Sequence, residues 1–186
     1  MKVTFLDRDG VINRYPGDSD YVKSWGEFHF LPEAKASLKR LREMGFEIII
    51  ISNQAGVSKG IYTQETLDLI TRNMLKDLND YNIDVRGVYY CTHRQIDNCS
   101  CRKPKAGLID MAVAKLKDEG LEPELNRSYF IGDTIQDVQA GKAAGLKTIL
   151  IFSGKENPGN LDKWSTLPDY TADDLSRAVD LIINHQ

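Results

Sequence analysis

With 186 residues, of which 41% are hydrophobic and 27% charged, the chain has the composition of a globular protein and is long enough for one sizeable core. Its formal net charge of −3 at pH 7 excludes a general electrostatic attraction to nucleic acid or to an anionic membrane. The apolar runs are too short to span a bilayer and no basic, apolar leader opens the chain, so we expect a cytoplasmic protein.

The first predicted strand covers residues 3–6 and ends abruptly at two carboxylates, Asp7 and Asp9, followed by Gly10. Two acids one residue apart at a strand end cannot both be core residues, because a buried, unpaired carboxylate is costly or becomes neutralised. Their side chains can converge on one pocket, and Gly10 permits a tight turn there. The stretch predicts either a cation-binding site at the end of a strand or a polar turn, and the later strands decide between them.

The next predicted elements are an ordered loop, a helix and a second strand. Residues 12–31 lack a clear period but carry several aromatic side chains, so we expect an ordered loop over the site. Pro32 opens a helix that Gly45 stops, and the apolar run 46–51 predicts a strand buried on both faces. Polar residues again follow this strand, namely Ser52, Asn53 and Gln54.

Two further predicted strands end in the same way. Thr63 is the predicted N-cap of a long helix that reaches Tyr81 and leads to a third strand at 85–90. A fourth strand is predicted at 128–131, after a helix that ends at Gly120. The polar residues that follow these strands are Cys91, His93, Cys99, Cys101, Arg102 and Lys103 in the first case, and Asp133 and Asp137 in the second.

The last third of the chain continues the alternation of strands and helices. A fifth strand is predicted at 148–152, residues 153–170 are predicted as a loop, and a capping-box-like Thr171-x-x-Asp174 starts the last helix. Five strands that alternate with helices imply a parallel sheet with right-handed crossovers. The predicted fold class is α/β, a doubly wound three-layer α/β/α sandwich in a single domain over residues 1–186.

The cysteines predict a metal site. All three, Cys91, Cys99 and Cys101, lie within eleven residues, and an odd, clustered set of thiols favours metal binding over a disulfide framework. Together with His93 they make a closed Cys3His set, which suits a structural tetrahedral zinc rather than a catalytic one with an open position. The alternative is three reduced thiols and a surface histidine. A zinc loop at about 91–101 would fix a segment that has few large apolar residues.

The motifs stand in the order expected for the haloacid dehalogenase superfamily of aspartate-nucleophile phosphatases, which the chain resembles over nearly its whole length. They are DxDGV at 7–11, SNQ at 52–54, RKP at 102–104 and GDxxxD at 132–137. The cysteine and histidine pattern before Arg-Lys-Pro narrows the resemblance to the small zinc-containing branch of heptose bisphosphate and histidinol-phosphate phosphatases. Where this superfamily usually inserts a large cap domain, the chain has only a loop and a helix, so we expect a capless enzyme.

The chemistry of phosphoryl transfer assigns a role to each motif. Asp7 is the candidate nucleophile that forms an aspartyl-phosphate, and Asp9 the candidate group that protonates the leaving alcohol and then deprotonates water. Asp7, Asp9 and Asp133 are the candidate Mg2+ ligands, with Asp9 contributing its main-chain carbonyl. The other predicted site residues are Ser52 and Lys103 at the phosphoryl group, Asn53 and Arg102 as substrate contacts, and Asp137 as a secondary partner.

The resemblance implies a sugar phosphate substrate, and we expect removal of the 7-phosphate of D-glycero-D-manno-heptose 1,7-bisphosphate. Histidinol phosphate is the main alternative, because that activity shares the motifs and the cysteine cluster. The negative net charge disfavours a nucleic-acid 3′-phosphatase. The second acid disfavours a phospho-accepting signalling domain, since it would destroy a long-lived acyl phosphate. We expect a monomer whose partner is a small molecule, with neither nucleic acid nor membrane involved.

Overall fold

A single parallel sheet of six strands organises the computed structural model, which describes residues 1–185. The strands are β1 (Lys2–Leu6), β2 (Phe46–Asn53), β3 (Gly87–Cys91), β4 (Tyr129–Gly132), β5 (Lys147–Ile151) and β6 (Tyr170–Ala172). Their order across the sheet is β3-β2-β1-β4-β5-β6, and every neighbouring pair is parallel. The strand order reverses at β1, the kind of position where ligands bind in open α/β sheets.

Within residues 1–185, five α-helices cover the two faces of this sheet. They are α1 (Ala34–Glu43), α2 (Gln64–Asp80), α3 (Gly107–Asp118), α4 (Ile135–Ala143) and α5 (Leu175–Asn184). One apolar cluster packs α1, α2 and α5 against the sheet, and a second packs α3 and α4 against the sheet. The predicted doubly wound, three-layer α/β/α class is confirmed. None of the helices described is both long and apolar enough to cross a membrane.

Helix starts follow local sequence signals at one helix and depart from them at another. Thr63 caps α2 as predicted, since its hydroxyl oxygen accepts a hydrogen bond from the Thr66 main-chain N–H at 3.2 Å. The prediction that Pro32 opens α1 is wrong. The helix begins at Ala34, and the preceding Glu33 lies in the left-handed region with φ of 58°. A residue in that conformation cannot belong to the helix, so the turn at Pro32 stays outside it.

The end of the chain differs most from prediction. A sixth strand, β6, covers Tyr170–Ala172. It lies at the end of the loop predicted at 153–170 and includes Thr171, which was predicted to start the last helix. The last helix is capped by Asp174, whose carboxylate accepts from the Arg177 main-chain N–H at 2.9 Å. A three-residue edge strand is too short to give a recognisable period in the sequence.

Two strands reach closer to the site than predicted. The second strand was predicted to end at residue 51 and continues to Asn53. The third was predicted at 85–90 and covers Gly87–Cys91. Ser52, Asn53 and Cys91 are therefore strand residues, and the alternation of sides along a strand fixes where their side chains point.

The predicted ordered loop at 12–31 packs against the body of the protein. Val22 and Phe28 are buried in the core, and the Phe28 ring stacks on Trp25 with centroids 5.0 Å apart. Among the described residues between β1 and β2 there is this loop and α1 but no inserted cap domain. In this connection of the described chain, a loop rather than a cap domain lies over the carboxyl edge of the sheet.

Candidate active site

The carboxyl ends of β1, β2 and β4 meet at one cavity of about 170 Å³. Because these three strands are neighbours, the polar residues that follow each of them come together although they are distant in sequence. Seven predicted site residues line the cavity, namely Asp7, Asp9, Ser52, Asn53, Arg102, Lys103 and Asp133. Lining residues that the sequence did not single out include Tyr15, Tyr21, Gln136 and Lys155.

Lys103 lies at the centre of the site and is almost completely buried. Its ammonium is 3.0 Å from Asp7 Oδ2 and 2.6 Å from Asp137 Oδ1, and it also donates to the Ile51 carbonyl oxygen at 3.1 Å. Burial by itself would lower the pKa of Lys103, but the two carboxylates outweigh it and raise that pKa well above its usual range. The side chain is therefore a fixed positive charge.

Three buried carboxylates cluster at this site, and two of them, Asp7 and Asp137, pair with the one ammonium. Oxygen atoms of Asp7, Asp133 and Asp137 lie within 4.8 Å of one another. Burial raises the pKa of Asp7 from 3.8 to about 6; Lys103 opposes the shift and Asp137 adds to it. Burial and the charges of Asp137 and Asp7 also raise the pKa of Asp133 well above its usual value. One ammonium does not balance three carboxylates, so the cluster has the charge and the oxygen ligands that suit a hard divalent cation.

Asp137 joins helix α4 to Lys103. One of its oxygens accepts from the Thr134 main-chain N–H at 3.0 Å and from the Thr134 hydroxyl at 2.6 Å, which closes a capping box at the start of the helix. The other oxygen pairs with Lys103. The side chain is 1% exposed, so it acts on the cavity through the lysine rather than by contact.

Asn53 holds the main chain of Lys103. Its side-chain oxygen accepts from the Lys103 N–H and its side-chain nitrogen donates to the Lys103 carbonyl, both at 3.1 Å. The amide that was predicted to contact substrate is thus occupied on both ends by the protein. In this structure Asn53 positions Lys103, and its neighbour Ser52 is buried beside Asp7.

The thiols of Cys91, Cys99 and Cys101 form a compact group with His93. The three Sγ–Sγ distances are 3.1, 3.4 and 3.6 Å, and His93 Nδ1 lies 3.3 Å from Cys101 Sγ. A tetrahedral zinc with Zn–S bonds of about 2.3 Å would set its sulfur ligands roughly 3.8 Å apart. The observed separations are shorter than that, and all four ligand atoms lie within 4.8 Å of one another, close enough to share one small cation.

Arg102 connects this cysteine loop to the cavity. Its guanidinium donates to the His93 carbonyl oxygen at 3.2 Å, and its side chain also lines the cavity beside Lys103. Lys105 fastens the same loop from the other side, because its ammonium donates to the Asn98 and Cys99 carbonyl oxygens at 3.1 and 2.8 Å.

Comparison with known proteins decides the family. Residues 100–178 match the family model described as HAD-hydrolase-like. A D-glycero-D-manno-heptose-1,7-bisphosphate 7-phosphatase from Chlorobaculum tepidum is 38% identical over 185 residues, covering 96% of this chain and 92% of the relative. The chain belongs to this family of HAD-like phosphatases. A D-glycero-beta-D-manno-heptose-1,7-bisphosphate 7-phosphatase from Pasteurella multocida is 34% identical over 161 residues, covering 83% of each chain.

A solved structure agrees with the assignment to the HAD-like phosphatases, and a second one shares the fold. The D,D-heptose 1,7-bisphosphate phosphatase from B. bronchiseptica, complexed with magnesium and phosphate, superposes with a TM-score of 0.85 at 28% identity and full coverage of both chains. The corresponding phosphatase from Burkholderia thailandensis gives a TM-score of 0.69 at 23% identity, with 98% of this chain and 99% of that one covered. The second likeness supports the fold.

The sequence analysis of this HAD-like phosphatase gave no role to Arg8, Gln54 or Lys155. The Lys155 N–H donates to Asp133 Oδ2 at 2.8 Å, and its ammonium pairs with Asp18 at 3.0 Å across the rim of the cavity. Arg8 is fully buried and pairs with Asp9. A signal for Arg8 was present, because a cation directly between two acids of a buried motif is placed to pair with one of them.

Proposed function

We propose that this chain is a magnesium-dependent phosphatase that removes the 7-phosphate of D-glycero-D-manno-heptose 1,7-bisphosphate through an aspartyl-phosphate intermediate. The observation that carries the proposal is a buried Asp7, 3.0 Å from the Lys103 ammonium, in a chain 38% identical to a heptose bisphosphate phosphatase. The named relatives support the heptose substrate and give no support to the histidinol-phosphate alternative.

In the first half-reaction an oxygen of Asp7 attacks phosphorus, and the bond from phosphorus to the sugar oxygen breaks. Asp9 gives its proton to that leaving oxygen. In the second half-reaction Asp9 takes a proton from water, the water oxygen attacks phosphorus, and phosphate leaves as Asp7 is regenerated. The fixed charge of Lys103 and the hydroxyl of Ser52 stabilise the charge that develops on the phosphoryl oxygens.

The donor set at the cavity suits Mg2+. Carboxylates of Asp7 and Asp133, with the main-chain carbonyl of Asp9, would hold the ion, which supplies positive charge that offsets repulsion between nucleophile and phosphate. Asp137 keeps Lys103 in place in this arrangement, and Asn53 holds the main chain of the same lysine.

We further propose that Cys91, His93, Cys99 and Cys101 hold a structural zinc. Four ligands of this type close the coordination shell, so the metal would shape the loop and would not activate water. The same loop presents Arg102 at the cavity, where its guanidinium suits the second phosphate of a bisphosphate substrate.

A direct assay tests the proposal. Phosphate release from the heptose 1,7-bisphosphate and from histidinol phosphate is measured side by side, with Mg2+ and after its removal. We expect Mg2+-dependent turnover of the heptose ester, lost by at least about a thousandfold in Asp7→Asn because the nucleophile's charge is gone. The exposed Asp118→Asn is the matched control and should leave the rate unchanged.

Each competing function predicts a different result of this assay. A kcat/KM on histidinol phosphate equal to that on the heptose ester would overturn the substrate assignment. A stable stoichiometric phosphoprotein without turnover would favour a signalling role. An Asp7→Asn protein with near-normal activity would overturn the mechanism itself.

A further inference from the structure

Arg8 is the largest side chain that is fully buried in the described part of the protein, and the mechanism above gives it no role. It stands between Asp7 and Asp9 in sequence. Removing a guanidinium from water is costly unless it is paired, and replacing a buried ion pair by apolar residues is often neutral or stabilising. Stability alone therefore gives little reason for an arginine in this position.

The guanidinium of Arg8 donates hydrogen bonds to the carboxylate of Asp9 and makes none to the carboxylate of Asp7. Its Nη2 atom donates to Asp9 Oδ1 at 3.0 Å and to Oδ2 at 2.9 Å, and its Nε atom reaches Oδ1 at 3.2 Å. The guanidinium lies 5.7 Å from the ring centre of Tyr90 and 6.0 Å from that of Phe28. The two rings and the burial leave the arginine little freedom to turn away.

Gln54 completes the hold on Asp9 from the end of β2. Its side-chain nitrogen donates to Asp9 Oδ2 at 2.8 Å, while its side-chain oxygen accepts from Arg8 Nη2 at 3.2 Å. The Tyr62 hydroxyl donates to the same oxygen at 2.6 Å and so fixes which way the amide faces. Gln54 is fully buried, and Asn13 adds a further hydrogen bond to Asp9 Oδ1 at 2.8 Å.

We propose that Arg8 and Gln54 are positioning residues that lock the carboxylate of Asp9 in the orientation needed for proton transfer to the leaving oxygen and from water. The inference rests on the proposed function, because it assigns the acid and base role to Asp9. The two oxygens of Asp9 together accept hydrogen bonds from Arg8, Gln54 and Asn13, so the plane of the carboxylate is fixed before substrate arrives. Fixed geometry of this kind is where enzymes gain rate, since a misplacement of about 1 Å costs on the order of a hundredfold.

The test compares leaving groups rather than overall activity. Gln54→Met keeps the volume of the side chain but removes its hydrogen bonds, and the exposed Gln64→Met is the matched control. The rate of the first turnover is measured by rapid quench with phenyl phosphate and with 4-nitrophenyl phosphate. The 4-nitrophenolate leaves without a proton, whereas the phenolate needs one.

We expect Gln54→Met to slow the first turnover of phenyl phosphate by about tenfold to a hundredfold and that of 4-nitrophenyl phosphate by less than about threefold. Gln64→Met should match the wild type on both esters. An equal loss on both esters in folded Gln54→Met protein, or no loss on either, would overturn the positioning role.

Arg8→Lys is a second variant, which keeps the positive charge but lacks the planar guanidinium that donates to both oxygens of Asp9. It should slow the first turnover of phenyl phosphate more than that of 4-nitrophenyl phosphate. If it fails to fold, the Gln54→Met result alone decides. The outcome is separate from that of the proposed function, because the comparison of the two aryl esters reports on proton transfer to the leaving group whatever the natural substrate is. Wild-type protein that hydrolyses the aryl esters but not the heptose ester would refute the proposed natural substrate. The role of Arg8 and Gln54 would still be decided by comparing the two aryl esters.

Discussion

At the scale of single residues, the position of Asp133 depends on two glycines. A Cβ atom on Gly154 would lie 2.0 Å from Asp133 Oδ2, and one on Gly10 would lie 2.3 Å from the same atom. Gly10 also has φ of 84°, a conformation that side chains disfavour, whereas for Gly154 the conflict is steric alone. Together the two glycines let the main chain approach a buried carboxylate closely enough for the Lys155 N–H to bind it.

We predict that Gly154→Ala weakens Mg2+ binding more than it slows the saturated reaction. The new methyl group forces Asp133 to rotate away from its hydrogen bond, and disturbing the groups that orient a metal ligand typically costs about tenfold or more in affinity. Titrating activity with Mg2+ measures the effect. Gly26→Ala, where the nearest neighbour of the added methyl group is 3.8 Å away, is the matched control. An unchanged Mg2+ midpoint in Gly154→Ala would show that Asp133 tolerates the move.

Whether a site residue could be predicted depended on its position in a motif. Asp7 and Asp133 could be predicted because each stands just after an apolar strand, and Lys103 could be predicted because it stands in the RKP motif. For Arg8 the position between two acids was a signal, whereas the contact of Gln54 with Asp9 depends on the pairing of β1 with β2, which the sequence does not reveal. Asn53 stays a predicted substrate contact, and the structure adds that this cavity residue binds the main chain of Lys103 through its amide.

At the scale of elements, the cysteine loop at 91–101 acts as the support of Arg102 and Lys103. Arg102 donates to the carbonyl of His93, and Lys105 binds the carbonyls of Asn98 and Cys99. The loop itself exposes Ile96, which is 83% accessible and cannot anchor it in a core. Metal ligation is proposed as a source of order for this element, beside the hydrogen bonds and the burial of Cys91.

We predict that Cys99→Ser leaves the sheet folded but lowers kcat/KM on the order of a hundredfold, because Arg102 and Lys103 lose their fixed position. Circular dichroism and metal analysis accompany the kinetics, with one zinc expected per wild-type chain and little in the variant. The exposed Ser100→Ala in the same loop is the control. Wild-type protein purified without chelator and found free of zinc would refute the site, and a fully active zinc-free variant would refute the supporting role.

Long elements with a repeated apolar pattern were predicted well, and short elements were not. Helix α2 is 17 residues long and carries its own cap, so its pattern could be seen in the sequence. Strand β6 has three residues, and its pairing with β5 depends on tertiary structure rather than on a local pattern. The order of the strands across the sheet is likewise a matter of long-range pairing, which an alternation of strands and helices does not specify.

At the scale of the whole molecule, the cluster of buried carboxylates makes stability depend on pH and on Mg2+ together. The pKa of Asp7 rises on folding from 3.8 to about 6, and that of Asp133 also rises well above 3.8. The folded protein thus holds protons that the unfolded chain releases. In the absence of Mg2+, the contribution of Asp7 and Asp133 to the free energy of unfolding should fall as the pH rises from about 4 to 6 and beyond.

We predict that Mg2+ raises the melting temperature more at pH 8 than at pH 5. At pH 5 protons already neutralise part of the cluster and compete with the ion, whereas at pH 8 the ion replaces repulsion by attraction. Zinc-loaded protein, dialysed free of Mg2+ and then scanned with and without it at both pH values, provides the measurement. Equal shifts at the two pH values would contradict the raised pKa values.

The central place of β1 has a consequence for how the gene tolerates changes in length. Ser52 and Asp133 reach Asp7 because β2 and β4 pair with β1 in a fixed register, with Leu6 opposite both Ile50 and Ile131. Successive residues of a strand face opposite sides of the sheet, so inserting or deleting one residue in β2 or β4 would turn its site residue to the wrong side. Length variation should therefore be confined to the connecting loops, and the three middle strands should keep their lengths in any variant that retains this site.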